Sequence, residues 1–577
     1  MKHAKVWALV LTALAAFLLP SLLLLQPETT HSFVYALGAC VVLWAEMKMF
    51  AVDDRRLRRY ALWFGWAFAF FQLAGWRLDA AETLGGLVPA VLLVISSAAL
   101  APAAGYGFVL VVRAADKLRL RNEEPTQSKK VFWLSFGFIL LCWLPVFLAY
   151  YPGMFNFDAG RQIEQLLSGI YDGTLPLLHS VILGAFYTFG GMIGSYNAGL
   201  ALYTIVQCAA VAAAMAYAAQ YLYHLRLPCW TWLGMNLVHA LLPMHSMMVI
   251  STTKDLFFCS ALLVLMIRLH ALWTEPKKWL KLSQWLSIVL LTAAMCLLRN
   301  NGAFAAGAVF VLAFFLLLKN RALMVRVLSA LMAGVMLMAV CTVGLNKIYQ
   351  PPRTGIREWL SIPLSQVARV YDEAVNDERE LKEATEIEAF IPDVDRYQRH
   401  LSDGIKRHTT VGVVNMPQYL SLWGRLFMQY PADFFDAAAY LTKGYWHLDD
   451  ETHLDIYAER GDHGYLETKA PDGLGVTRDS KLPGLMKKLD ELFVQNDYRK
   501  IPVLATVVEP AFWCWMAALV VVLAMYRRDR GTILCSMLLA GLFASMLFGP
   551  CAYIRYAYPL AICALPLLGM CLSHKTE

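Results

Sequence analysis

Residues 131–162 read VFWLSFGFILLCWLPVFLAYYPGMFNFDAGRQ. The first twenty, Val131 to Tyr150, carry no charge and suffice for one helix across a bilayer, since about 20 residues at 1.5 Å rise cover about 30 Å. Pro152 and Gly153 end that helix at the membrane surface. Ile163, Leu166 and Leu167 then recur at helical spacing, which predicts an amphipathic helix lying in the interface with Asp158 at its start.

The rest of the chain extends this pattern. Its 577 residues are 59% hydrophobic and 16% charged, with mean hydropathy +0.50, whereas a soluble chain is roughly a quarter charged. Apolar stretches recur near 6–25, 31–51, 60–75, 85–112 and 131–150, then near 196–222, 231–250, 255–273, 282–299, 302–318 and 327–346, and last near 502–526, 532–549 and 556–572. The expectation is an all-α polytopic membrane protein of about 14 transmembrane helices, with the first retained as a helix rather than cleaved as a signal peptide.

The net charge of +7 averages two unlike regions. Residues 347–500 hold 20 Lys and Arg against 26 Asp and Glu, leaving a basic excess in the apolar remainder. With the N-terminus inside, the cytoplasmic connections are all basic: Arg55 to Arg59, Arg113 to Lys130, Arg226, Lys277 to Lys281, Lys319 to Arg326 and Arg527 to Arg530. That places both termini in the cytoplasm, and no nucleic-acid partner is expected. Two regions then face the exported side, the loop 151–196 and the acidic segment 347–500. The expected divisions are N-terminal helices 1–130, a transmembrane core 131–346, an exported soluble domain 347–500 and C-terminal helices 501–577. The exported domain reads as mainly helical from runs such as Asp372 to Phe390, with Gly- and Asp-rich turns such as Glu459 to Gly464. All 12 cysteines lie outside 347–500 and none forms a Cys-x-x-Cys pair, so neither a disulfide framework nor a thiolate metal site is expected.

The chemistry-bearing residues gather at the exported ends of these spans. Asp158 and His179 lie in the first long exported loop, whose piece Val181 to Ile193 reads as a juxtamembrane helix. Lys254-Asp255, Arg299-Asn300-Asn301-Gly302 and Arg555 occupy tight turns between spans. Each has a plain reading: a capping Asp, a satisfied helix-start His, a solvated Lys-Asp cap, arginines reaching lipid phosphates. Their convergence on one face of one membrane favours a site instead, with the carboxylates and His positioning a hydroxyl acceptor or a divalent metal and the cations meeting phosphate. A transporter would place its charges near mid-bilayer and show matching interrupted helices, which the two halves do not display.

At these residues the chain resembles the GT-C superfamily, membrane glycosyltransferases that use polyprenyl-phosphate sugar donors. Within that group it is similar to an uncharacterised bacterial family of polytopic membrane proteins. The resemblance is carried by Tyr151-Pro152-Gly153, Asp158 with Gln162, Leu178-His179-Ser180, Lys254-Asp255, Arg299-Asn300-Asn301-Gly302 and Pro363-Leu364-Ser365-Gln366. Ser180 stands where the pattern has Pro, and Asp158 has no neighbouring second carboxylate; the first four spans lie outside the likeness. The resemblance implies sugar transfer to a cell-envelope glycan, lipid or protein, on the exported face of a bacterial cytoplasmic membrane. It implies Asp158, His179 and Asp255 as catalytic residues, Lys254, Arg299 and Arg555 as donor-phosphate ligands, and Gln162, Asn300 and Asn301 in support. A divalent metal would be held through Asp158. For Trp423, Tyr445, Trp446 and His447, packing in the domain core outweighs sugar stacking. The alternative function is a transporter or flippase of lipid-linked or envelope precursors.

Overall fold

A computed structural model describes the chain except residues 1, 31, 123–127, 155–156, 172, 174, 277–280, 353–355, 451–474, 494 and 575–577. Among the described residues the protein is helical and has no strand; isolated bridges join Met154 to Ser251 and Gln398 to Leu401. The expected turn at Glu459 to Gly464, the basic pair Lys277 and Lys278, and Phe155-Asn156 of the loop motif lie outside the described residues.

The first four principal helices are α1 (Lys2–Leu22), α2 (Phe33–Phe50), α3 (Arg55–Ala81) and α4 (Leu87–Asp116). α5 (Lys129–Ala149) leads into the short α6 (Phe157–Ser168) and α7 (Leu177–Met192). There follow α8 (Tyr196–His224), α9 (Cys229–Leu241), α10 (Pro243–Val249), α11 (Lys254–Thr274), α12 (Leu282–Leu298), α13 (Gly302–Leu316) and α14 (Arg321–Tyr349). The segment beyond residue 350 contributes α15 (Ser361–Asn376), α16 (Met416–Gln429) and α17 (Pro431–Thr442). The chain ends with α18 (Pro502–Val508), α19 (Pro510–Arg527), α20 (Arg530–Met546) and α21 (Ile554–Ser573).

Nine of the described helices are long and apolar enough to cross a membrane: α1, α2, α4, α5, α8, α11, α14, α19 and α21. The other expected spans differ for physical reasons. The stretch 60–75 lies inside α3, whose first turns carry Arg55, Arg56, Arg58 and Arg59. The stretch 231–250 is broken between α9 and α10, where Pro243 has no N–H to continue the helix. Pro510 likewise separates α18 from α19. α12, α13 and α20 have 17, 15 and 17 residues, below the usual length of about 20. Large side chains such as Phe17, Phe33, Leu87, Leu141 and Val340 stand exposed on the outer helices, a surface suited to hydrocarbon rather than water.

α11 is buried around much of its circumference, with Leu256, Phe258, Leu262, Leu263, Leu265 and Met266 all inaccessible. It packs on α8, α12, α20 and α21. A helix apolar on all sides belongs at the centre of a bundle, and the residues at its N-terminus are thereby placed where several other helix ends meet.

The segment after residue 350 has its own small core, including Leu364, Val367, Ile387, Tyr419, Leu426 and Phe434. The helix-forming run Asp372 to Phe390 is divided there between α15 and a short helix, Ala384–Phe390. This domain is knit to α3: Gln72 Nε2 donates to Trp446 O at 2.6 Å, Tyr440 OH donates to Leu78 O at 3.0 Å, and Asp79 pairs with Lys443. His447 packs over Gly75, where a Cβ would collide with the imidazole.

Candidate functional site

The turn after α5 is laid against the turn before α11. Met154 N donates to Ile250 O at 2.9 Å, and Thr252 N returns a bond to Met154 O at 2.8 Å. Thr204 of α8 ties the same turn through Pro152 O at 3.1 Å. Gly153 permits this approach: its φ is +132°, and a Cβ would strike Thr204 Oγ1. α6 begins three residues after Met154 and α11 begins three residues after Ser251, so their N-termini are neighbours.

That placement sets Lys254 Nζ 2.7 Å from Asp158 Oδ2, with each side chain 15% exposed. Arg555, in the first turn of α21, approaches the same oxygen at 3.5 Å. Arg299, between α12 and α13, reaches Asp255 Oδ1 at 3.1 Å. Tyr556 holds the two arginines, each guanidinium 4.9 Å from its ring centroid, and Arg555 Nη2 donates to its hydroxyl at 3.0 Å. Asp158, Lys254, Asp255, Arg299 and Arg555 therefore form one cluster.

Burial of Asp158 opposes its ionisation, but the charges of Lys254 and Arg555 outweigh it and hold the carboxyl well below the usual carboxylate range. Lys254, Arg299 and Arg555 face the two carboxylates, and Arg161 also acts on Asp158, so cations outnumber carboxylates at the cluster. The N-termini of α11, α13 and α21 add the positive ends of their dipoles. Arg555 Nε is buried without a hydrogen-bond partner among the described residues.

His179 lies behind this cluster. Its Nδ1 is 2.8 Å from Gln162 Oε1 and its Nε2 is 2.6 Å from the Tyr203 hydroxyl. Burial, reinforced by Lys254, pushes the imidazole down to about 3, so it is neutral. With both ring nitrogens engaged, His179 braces α6 and α7 against α8. Gln162 Nε2 donates to Ser180 Oγ at 3.0 Å, which gives the departure from Pro at position 180 a structural use. Gln207 extends the brace, its Nε2 donating to Val249 O and Ser251 O at 2.8 and 2.7 Å.

A cavity of about 400 Å³ opens beside the charges, lined by Lys254, Arg299, Asn300, Asn301 and Tyr556 and, from the domain after residue 350, by Glu358 and Trp359. A second cavity of about 430 Å³ adjoins it through Gly173, Pro176 and Asn300. Its walls include Leu177, Leu178, Leu297, Met338 and Leu345. Of the four candidate aromatics, Tyr445 reaches the first cavity. Trp423 stacks on Phe427 within the domain core, and Trp446 and His447 pack against α3. Gln366 of the Pro-Leu-x-Gln element also serves that core, accepting from Trp423 Nε1 at 2.9 Å and donating to Phe434 O at 3.2 Å. Sequence reasoning missed Tyr203 and Gln207, although a polar pair four residues apart in an apolar span was a visible signal. It also gave no role to Tyr556, Glu358 and Trp359.

Among the described residues no group of three or more His, Cys, Asp and Glu side chains is arranged to hold a metal ion. Asp158 and Asp255 each face a cation instead, a donor set that does not fit a divalent ion.

A helical bundle of membrane-spanning character, with an ion-paired cleft at one end, is thus the class that fold and site define. The chain belongs to the family described as "Family of unknown function (DUF6020)", whose model matches residues 172–577. His179, Lys254, Asp255, Arg299, Asn300, Asn301 and Arg555 fall within the matched stretch, and Asp158 and Gln162 precede it. No curated protein and no solved structure matches the chain.

Proposed function

We propose that the protein is a GT-C-like membrane glycosyltransferase, moving a sugar from a polyprenyl-phosphate donor to a cell-envelope glycan, lipid or protein. In this reading about 14 helices cross a bacterial cytoplasmic membrane, both termini are cytoplasmic, and the cleft faces the exported side. Beside the nine longer helices, the shorter α12, α13 and α20 count as spans, as do α3 and the interrupted pair α9–α10.

The observation that carries the reading is the paired cavity. One chamber holds Lys254 and Arg299, and its neighbour sets Leu177, Leu178, Leu297, Met338 and Leu345 beside polar Asn300, Thr342 and Asn346. The cations Lys254, Arg299 and Arg555 suit a phosphodiester, which bears one negative charge, and the leucines and methionine of the second chamber suit the start of an isoprenoid chain.

In the reaction an acceptor hydroxyl attacks the anomeric carbon while Asp158 takes its proton. The bond from that carbon to the phosphate oxygen breaks with inversion, and Lys254, Arg299 and Arg555 stabilise the departing lipid phosphate. Phosphate competes with Asp158 for Lys254, so donor arrival frees the carboxylate to act as base. His179 and Gln162 position it, and Asp255 orients Arg299.

A transporter or flippase is the second reading. It is favoured by the helix breaks at Pro243 and Pro510 and by His239, buried beside the first break with neither ring nitrogen hydrogen-bonded. Asp158→Asn separates the two. A glycosyltransferase loses transfer by about 10²–10⁴-fold, the range of general-base catalysis, while still binding undecaprenyl phosphate. Unchanged transfer by a stable variant removes the catalytic assignment.

A further inference from the structure

The cavity that holds Lys254 and Arg299 is also lined by Ile356, Glu358 and Trp359, a short turn (Ile356–Trp359) of the segment that follows α14. We propose, resting on the glycosyltransferase reading, that Trp359 and Glu358 recognise the transferred group, and that this group is a single hydroxyl-bearing pyranose ring.

Trp359 is 52% exposed, unlike the large buried aromatics of the protein. It is nevertheless held in place, its ring centroid 5.3 Å from that of Phe304 and 6.5 Å from that of Phe548. A fixed, partly uncovered indole on a cavity wall offers an apolar face to the C–H side of a sugar ring. Glu358 lines the same wall, anchored by Lys406 at 2.9 Å, with Arg357 at 3.7 Å. Its carboxylate supplies acceptors for ring hydroxyls. Asn301 occupies the N-cap position of α13, yet its side chain makes no capping bond; with Asn300 it lines the cavity floor. Planar amides and a carboxylate around an aromatic ring match a sugar's mixture of hydroxyl edges and C–H faces.

The space accommodates the occupant. A volume of about 400 Å³ is near the small end of ligand pockets, roughly 300–1,000 Å³, enough for one sugar ring and a phosphate. The phosphate falls to Lys254 and Arg299, leaving Trp359, Glu358 and the two asparagines to the ring.

A plainer role for Trp359 is that of an aromatic anchor at the membrane interface, and the experiment must distinguish the two. Purified full-length protein in nanodiscs is titrated with undecaprenyl phosphate and with its glucosyl, galactosyl and mannosyl forms. The wild type should bind one or more glycosides about tenfold more tightly than the bare lipid phosphate, the scale of a good aromatic contact. Trp359→Ala should abolish that increment without changing bare-phosphate affinity; Trp359→Phe should retain most of it, and Glu358→Gln should lose part. A Trp359→Ala protein that binds glycosides as the wild type does, or that weakens on all four lipids equally, overturns the proposal. So does a wild type that binds the bare phosphate as well as every glycoside. A wild type that binds none of the four lipids overturns the donor reading itself, and the sugar wall with it.

Discussion

Lys254 Nζ lies 2.7 Å from Asp158 Oδ2 across 96 positions of sequence, and neither side chain is more than 15% exposed. Each residue opens a helix, and the hydrogen bonds between residues 154 and 250–252 bring the two openings together. A carboxylate held this way is ionised but masked, which makes its behaviour depend on the lysine.

Lys254→Met tests that dependence through pH. Because the folded carboxyl is held below its unfolded value, its contribution to stability is present above the unfolded value and is lost as pH falls through the folded one. The wild type should therefore lose this contribution progressively as pH falls below the unfolded carboxylate value. Removing the lysine brings the folded value back toward the unfolded one, so the variant starts less stable near neutrality and should lose less on acidification. Thermal unfolding in nanodiscs from about pH 2 to about pH 7 reads the difference, and superimposable profiles for the two proteins would refute the coupling.

Arg299 and Asp255 form a more deeply buried pair, with side chains 9% and 2% exposed. Arg299→Ala removes the largest of the cations' effects on Asp255, with Lys254 and Arg555 remaining, and should cost up to about 3 kcal/mol. Replacing both partners, as Arg299→Met with Asp255→Leu, should recover most of that stability while abolishing phosphate-lipid binding. Denaturant titration of the single and double variants measures the coupling; losses that simply add would show the pair to be energetically independent.

Gly153→Ala should disturb the site without touching a charged residue. Two penalties are expected, one from φ +132° and one from the collision with Thr204 Oγ1, together about 1–3 kcal/mol. Adding Thr204→Ala relieves only the collision, so the double variant should recover part of the loss. Wild-type thermal stability in Gly153→Ala would show that the turn accommodates a side chain.

Much of the candidate site was visible in the sequence because charged residues at the ends of apolar runs are conspicuous. Asp158, Lys254, Asp255, Arg299 and Arg555 all stand at such ends, and the structure gathers them. His179 stood out for the same reason, but its brace between Gln162 and Tyr203 depends on how α6, α7 and α8 pack. The break at Pro243 was legible from the proline itself, although hydropathy averaged over 231–250 conceals it. Trp359 gave no local signal, being one aromatic in a segment of ordinary composition.

Hydropathy and charge by themselves determined that this is a helical chain of membrane-spanning character with polar residues at its helix ends, since both follow from whether each stretch prefers hydrocarbon or water. Only the tertiary structure decided which ends are neighbours, which carboxylate pairs with which cation, and that Trp359 and Lys254 line one cavity. Those relations arise from packing between segments far apart in the chain, and contact energies act over a few ångströms of space rather than along the sequence.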